Sequence, residues 1–249
     1  MTGRSPLYTV IGMPFSTFTR TITLGLQYKG LEYDQLATTP QSQLAQENHP
    51  FAYLPTLVIH EIDGKRVDVK LRESQAIVRY IDRIAPEPSL HVRPGPESGI
   101  LLEEKMWEFV SLAASFGRPL VLPISASKHG YRTFPGFPMV EATVVKPRVK
   151  AMDEGELTED EIREKIKDGV LELKRYLSVA ESLMGPEGFA FGPNPTWADF
   201  FLYPLLADLR AIPEWEVVSP RLVNWMTKMD GLPAVQATTS GTLSVGARP

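Results

Sequence analysis

YLPTLVIHEIDGKRVDVKLRESQAIVRYI, running from Tyr53 to Ile81, changes its period once and carries its own turn signal. Leu57–Ile62 and Arg66–Leu71 are short runs rich in Val and Ile, joined by Asp63-Gly64, the strongest short-range hairpin signal. An antiparallel pair is expected. From Glu73 to Ile84 the period becomes helical, with Ala76, Ile77, Tyr80, Ile81 and Ile84 on one face. At the other end Pro55 enters the leading edge of a β-rich run, where it has no N–H to donate to a ladder. That position suits a cis bond at a tight turn, although only about one X-Pro bond in twenty is cis in folded proteins.

Working outward, Leu7–Gly12 alternates β-branched and aromatic residues and ends in glycine, which reads as a strand. Ser16 to Tyr28 mixes Ile22, Leu24, Gly25 and Leu26 with polar residues at near-helical spacing, and Lys29-Gly30 closes it. Leu31–Leu36 is a second strand candidate, and Thr38–His49 reads as loop with one helical turn. The first 85 residues therefore read β-α-β then β-β-α. Residues 86–96 hold four prolines and a glycine, which marks a linker between domains 1–85 and 97–249. Beyond it, 97–117, 158–184, 196–211 and 219–230 are helical in pattern, giving an α+β chain whose second domain is all-α. Arg118–Met152, with five prolines, reads as a long loop, and the last dozen residues as a loose tail.

Composition narrows the functions. With 43% hydrophobic residues the chain fills a real core, and a net charge of −4 offers no field for nucleic acid or an anionic membrane surface. No apolar run approaches the roughly 20 residues that span a bilayer, and residues 1–20 lack the pattern of a secretion signal, so a cytoplasmic protein is expected. The chain has no cysteine, so it supplies no thiolate for catalysis or metal binding. His49, His60, His91 and His129 lack ligand spacing, and no metal is expected.

Three short constellations carry chemistry. GMPFSTFTR, Gly12 to Arg20, places hydroxyls between a strand and a helix N-terminus, where Ser16 or Thr17 caps the helix and is also positioned to stabilise an anion. YLPTLV supplies the edge proline. RESQAIVRYI, Arg72 to Ile81, puts Glu73 and Ser74 before a helix whose free N–H groups suit a carboxylate, or where Ser74 simply caps. In the second half, Thr196 and Asp199 of NPTWADFFLYPLL form a capping box with aspartate in the Glu/Gln place, and Thr158 and Glu161 form another at the acidic run Asp153–Glu164.

Taken in this order and spacing, the three constellations resemble the N-terminal domain of cytosolic glutathione transferases, and NPTWADFFLYPLL resembles the capping motif of that family's central buried helix. The resemblance covers most of residues 7–85. It implies a thioredoxin-like first domain, glutathione as co-substrate, and a serine-type (theta- or phi-like) transferase in which Ser16 activates the thiol. Leu54 would meet the cysteinyl part on its backbone groups, Pro55 would be the cis-proline, and Glu73 and Ser74 would take the γ-glutamyl end. Tyr53 stands where many relatives have Gln, and either His49 or Arg72 is left to hold the glycyl carboxylate. Met13 occupies the place of the reactive sulfur in cysteine-type relatives. Phe15, Phe18, Trp107, Phe116, Tyr131, Phe134 and Phe137 are candidates for a pocket holding an apolar, aromatic electrophile, although each is also a natural core residue. The alternatives are a ligand-binding protein on the same scaffold and a glutathione-dependent etherase or isomerase. A homodimer is implied, with Arg79 and Arg83 facing acidic residues such as Glu103, Glu104 and Glu108 of the partner.

Overall fold

The computed structural model describes residues 6–92, 99–114, 136 and 138–248. Four strands form one mixed sheet in the order β2-β1-β3-β4: β1 (Tyr8–Ile11), β2 (Asp34–Leu36), β3 (Thr56–Ile62) and β4 (Lys65–Arg72). β1 runs parallel to β2 and antiparallel to β3, and β3 runs antiparallel to β4. The hairpin turn has positive φ at both central residues, Asp63 (51°) and Gly64 (75°), the geometry whose twist matches the flanking strands. Helices α1 (Thr17–Tyr28), α2 (Gln43–Asn48) and α3 (Ser74–Ile84) complete this part.

The remainder is helical: α4 (Gly99–Ala114), α5 (Lys146–Glu154), α6 (Glu159–Leu183), α7 (Trp197–Leu209), α8 (Pro220–Asp230) and α9 (Pro233–Ala237), with a π-helical run at Pro138–Val145. The chain is thus α+β, a thioredoxin-like sheet domain followed by an all-α domain. α7 is buried along its whole length, which its apolar composition on every side demands. It packs on α1, where Gly25 admits the Trp197 ring: a Cβ at Gly25 would lie 2.3 Å from that ring. The hydrophobic core runs without a break from Val10, Ile22 and Leu57 through Trp197 and Phe200 to Met229.

Two sequence expectations need correcting. The segment read as a loop over Arg118–Met152 is helical from Pro138 onward: Pro138 opens the run, where a missing N–H breaks no intrahelical bond, and Pro147 sits where the π-helical run passes into α5. Residues 238–248 form no loose tail. Thr242 and Leu243 are buried, the Thr238 hydroxyl donates to the Ala234 carbonyl at 2.9 Å and the Thr242 hydroxyl to that of Thr239 at 2.7 Å, and Gly241 lies against Pro14. Both capping boxes are present, at Thr158/Glu161 and Thr196/Asp199.

Candidate functional site

Strand register gathers the three constellations. Ile11 pairs with Thr56, and Thr56 pairs with Arg72, so these three residues form one row across the sheet. Because β1 and β4 end at this row and β3 begins there, the segments Gly12–Ser16, Leu54-Pro55 and Glu73-Ser74 all emerge at the same end of the sheet. Leu36, the last residue of β2, pairs with Ile11 and brings in the chain that leads through α2 to His49. Two strand spacings amount to about 10 Å, the length of an extended tripeptide.

Ser16 is the N-cap of α1, half-buried, with extended backbone. Its Oγ accepts from the Thr19 N–H at 3.4 Å, a long contact that occupies a lone pair and leaves the hydroxyl proton free to donate. Gly12 makes this turn possible, since a Cβ there would lie 2.3 Å from the Thr19 Oγ1. Thr17, the other hydroxyl considered for the cap, is buried within the helix start, and its hydroxyl oxygen has no hydrogen-bond partner among the described residues. The cap is Ser16.

The Leu54–Pro55 peptide is cis, as the family resemblance implies. Glu73 adopts φ 67° and ψ 116°, a conformation that L-residues rarely hold, and its exposed side chain makes no cap bond. This turn leaves the first N–H groups of α3, at Ser74 and Gln75, without carbonyls behind them in the helix. Nothing in the sequence signals the strained conformation, and Glu73 reads there only as an acidic residue before a helix.

His49, the C-cap of α2, lies buried beside this turn. Its Nδ1 accepts from the Phe51 N–H at 3.1 Å, which puts the proton of the neutral ring on Nε2, 3.8 Å from Glu73 Oε1. Burial, its largest influence, holds the imidazole below its ordinary pKa; Glu73 opposes this and Arg72 adds to it. Arg72 is anchored by its Nε, which donates to the Asn48 carbonyl at 2.7 Å. Tyr53, half-exposed, stacks on His49 with ring centroids 5.6 Å apart and on Phe51 at 6.0 Å.

The apolar candidates are less concentrated. Phe15 is half-buried in the turn before Ser16, and Phe18 packs against the core. Trp107 is buried on α4 facing α3, with the Arg79 guanidinium 4.5 Å over its ring and the His91 ring 5.9 Å away. Phe116, Tyr131, Phe134 and Phe137 lie outside the described residues.

Family models for the glutathione S-transferase N-terminal domain and C-terminal domain match residues 10–89 and 160–228, together more than half of the chain. The chain belongs to the glutathione S-transferase family. No curated protein sequence matches it. Solved structures of similar fold include a glutathione transferase from Populus trichocarpa, 20% identical over 94% of this chain and 98% of that one, with a TM-score of 0.67. A glutathione transferase from Phanerochaete chrysosporium, in complex with oxidized glutathione, is 16% identical over 94% of each chain, with a TM-score of 0.64. A maleylacetoacetate isomerase from Anaeromyxobacter dehalogenans is 22% identical over 95% and 96%, with a TM-score of 0.59. In this glutathione S-transferase the family's N-terminal model begins in β1 and ends just past α3, so it spans every residue of the sheet-end cluster.

Proposed function

We propose that this glutathione S-transferase joins the thiolate of glutathione to an apolar, aromatic electrophile, with Ser16 stabilising the thiolate. The observation that carries this reading is the Ile11–Thr56–Arg72 row, which brings a hydroxyl donor at one helix N-terminus and a free helix N-terminus at another to one sheet end, about a tripeptide's length apart. Leu54 would pair with the cysteinyl backbone, and Glu73 and Ser74 would take the γ-glutamyl amine and carboxylate. Of the two candidates for the remaining carboxylate, Arg72 brings the charge; His49, kept neutral by burial, offers an Nε2–H.

The chemistry needs little else from the protein. A cysteine thiol with a pKa of about 8.5 is mostly protonated at pH 7, and lowering that pKa by about two units takes about 2.7 kcal/mol. A hydroxyl donating to an anion contributes roughly 1.5–3 kcal/mol and a helix N-terminus roughly 0.3–1. Ser16 at the start of α1 meets that requirement without a general base.

Retention on immobilised glutathione followed by conjugation assays with a panel of aromatic electrophiles tests the reading. Binding with turnover supports it. Binding without turnover favours the ligand-binding alternative, turnover confined to carbon–carbon isomerisation or ether cleavage favours the glutathione-dependent relatives, and failure to bind removes the assignment. We propose a cytoplasmic homodimer as well, by analogy with the family. Arg79 and Glu103 enter it already engaged within their own chain, with Trp107 and His91 respectively, so Arg83 and Glu104 are the better candidates for contacts between subunits.

A further inference from the structure

The junction between the two halves holds a cluster of charges with no part in the proposed reaction. Asp82, buried on α3, receives Lys29 Nζ at 2.8 Å, the Trp197 indole N–H from α7, and His91 Nε2 at 2.7 Å. Lys29, fully buried at the end of α1, also donates to the carbonyls of Ala85 and Pro88. His91 stands in the connector between α3 and α4, and its second nitrogen, Nδ1, is 2.9 Å from Glu103 Oε1 on α4. The imidazole is therefore clamped between two carboxylates from opposite sides of the junction.

A neutral imidazole carries one proton, so whichever nitrogen lacks it presents a lone pair to a carboxylate oxygen at less than 3 Å. Only the imidazolium makes both contacts attractive, the one to Glu103 being a charge contact at 2.9 Å rather than an aligned hydrogen bond. The two arms are unequal. Asp82 is buried and keeps Lys29 and Trp197 whatever His91 does, whereas Glu103 is 39% exposed and can turn to solvent. Other charged groups face the same cleft, of about 530 Å³: Arg79 and Arg83 from α3, Glu87 from the connector and Glu104 from α4. Arg79 is stacked on Trp107, and the acidic side chains favour the imidazolium.

We propose that His91 is a pH-operated clasp between the sheet domain and α4, closed while the ring is an imidazolium and opened on the Glu103 side when the ring loses its proton. Opening frees the first turns of α4 from the connector while Asp82, Lys29 and Trp197 hold the rest of the junction. The direction agrees with the electrostatics: the bond to Asp82 is the largest influence on His91 and raises its pKa above the ordinary 6.5, with Glu103 adding to it. A group raised in the fold stabilises fully below its unfolded value, and that stability is lost as pH rises through the folded one.

The test is a histidine-ring NMR titration of the full chain, the His91 signal being assigned by its proximity to the Trp107 ring. A His91 midpoint above 6.5 in the parent, a lower midpoint in Glu103→Gln and a clearly smaller fall in Glu104→Gln support the clasp. So does amide hydrogen exchange over residues 99–107 that, corrected for intrinsic rate, quickens above the midpoint in the parent and shows no such step in Glu103→Gln. A midpoint at or below 6.5, or equal shifts in the Glu103 and Glu104 variants, would overturn it.

Discussion

The Ser16 hydroxyl accepts from the Thr19 N–H, which leaves its proton free to donate to another acceptor, the role proposed for it toward the thiolate. Ser16→Ala is expected to lower kcat for conjugation at neutral pH at least tenfold while changing glutathione affinity by no more than a few-fold, since the lost bond acts on thiolate formation. Ultraviolet titration of bound glutathione should show the thiol pKa rising, and an unchanged value would remove Ser16 from the mechanism. For the tripeptide's far carboxylate the discriminating residues are Arg72 and His49. Loss of a charged hydrogen-bond donor costs about 1.5–3 kcal/mol, so Arg72→Gln should raise the KM for glutathione by about tenfold or more, and His49→Gln by clearly less. Steady-state kinetics with glutathione varied, alongside melting curves to detect loss of the Asn48 contact, separates the two. The sequence leaves this choice open because a histidine's charge depends on burial and on which nitrogen is occupied, neither of which is written in the order of residues.

Among the elements, α7 shows how much a short motif can specify. Asp199, fully buried, accepts from the N–H groups of Ala190 (2.7 Å) and Thr196 (2.8 Å), the Thr196 hydroxyl (2.9 Å) and the Trp225 indole (2.8 Å). Burial raises its pKa, and these donors oppose the rise. Asp199→Ala would strand several buried donors at roughly 1–3 kcal/mol each, so a fall in Tm of about 10 °C is expected by calorimetry, with Asn at the same position losing less. The capping box was legible because it is local, and the strand–turn–strand–helix order was legible for the same reason. Proline content is a poor guide at Pro138 and Pro147, because Pro138 opens a helical run and Pro147 is accommodated where that run passes into α5. The π-helical run makes a second testable contact: Glu141, buried, faces the buried Asp208 of α7. Burial pushes Glu141 well above the ordinary carboxylate range and Asp208 up to about 7. The folded pair therefore keeps protons that the unfolded chain releases, and its contribution to stability falls as pH rises above about 4, through the value of about 7 for Asp208. Glu141→Gln should gain stability relative to the parent between pH 5 and pH 8, and equal denaturant midpoints for the two proteins at both pH values would contradict this.

At the scale of the whole molecule, one unbroken core joins the sheet to the helices, so heating is expected to unfold the chain in a single transition, with far- and near-ultraviolet circular dichroism losing signal together. Two separated melts would show the halves to be independent. The sequence divides the chain at residues 86–96 on the strength of its prolines, yet Leu90 of that stretch is buried and its carbonyl accepts the Trp197 N–H at 3.0 Å, a pairing between distant residues that no local pattern announces. Lys29, the C-cap of α1, directs its charge at Asp82 and at two carbonyls around the connector. That lysine has a consequence for ancestry: a sheet domain borrowed from another lineage brings its own residue at the end of the first helix, and unless that residue is a cation of the right reach it leaves Asp82 facing Trp197 and His91 alone. A chimera joined at this seam is thus expected to depend on a single side chain, folding stably only where a cation of lysine's reach stands at position 29.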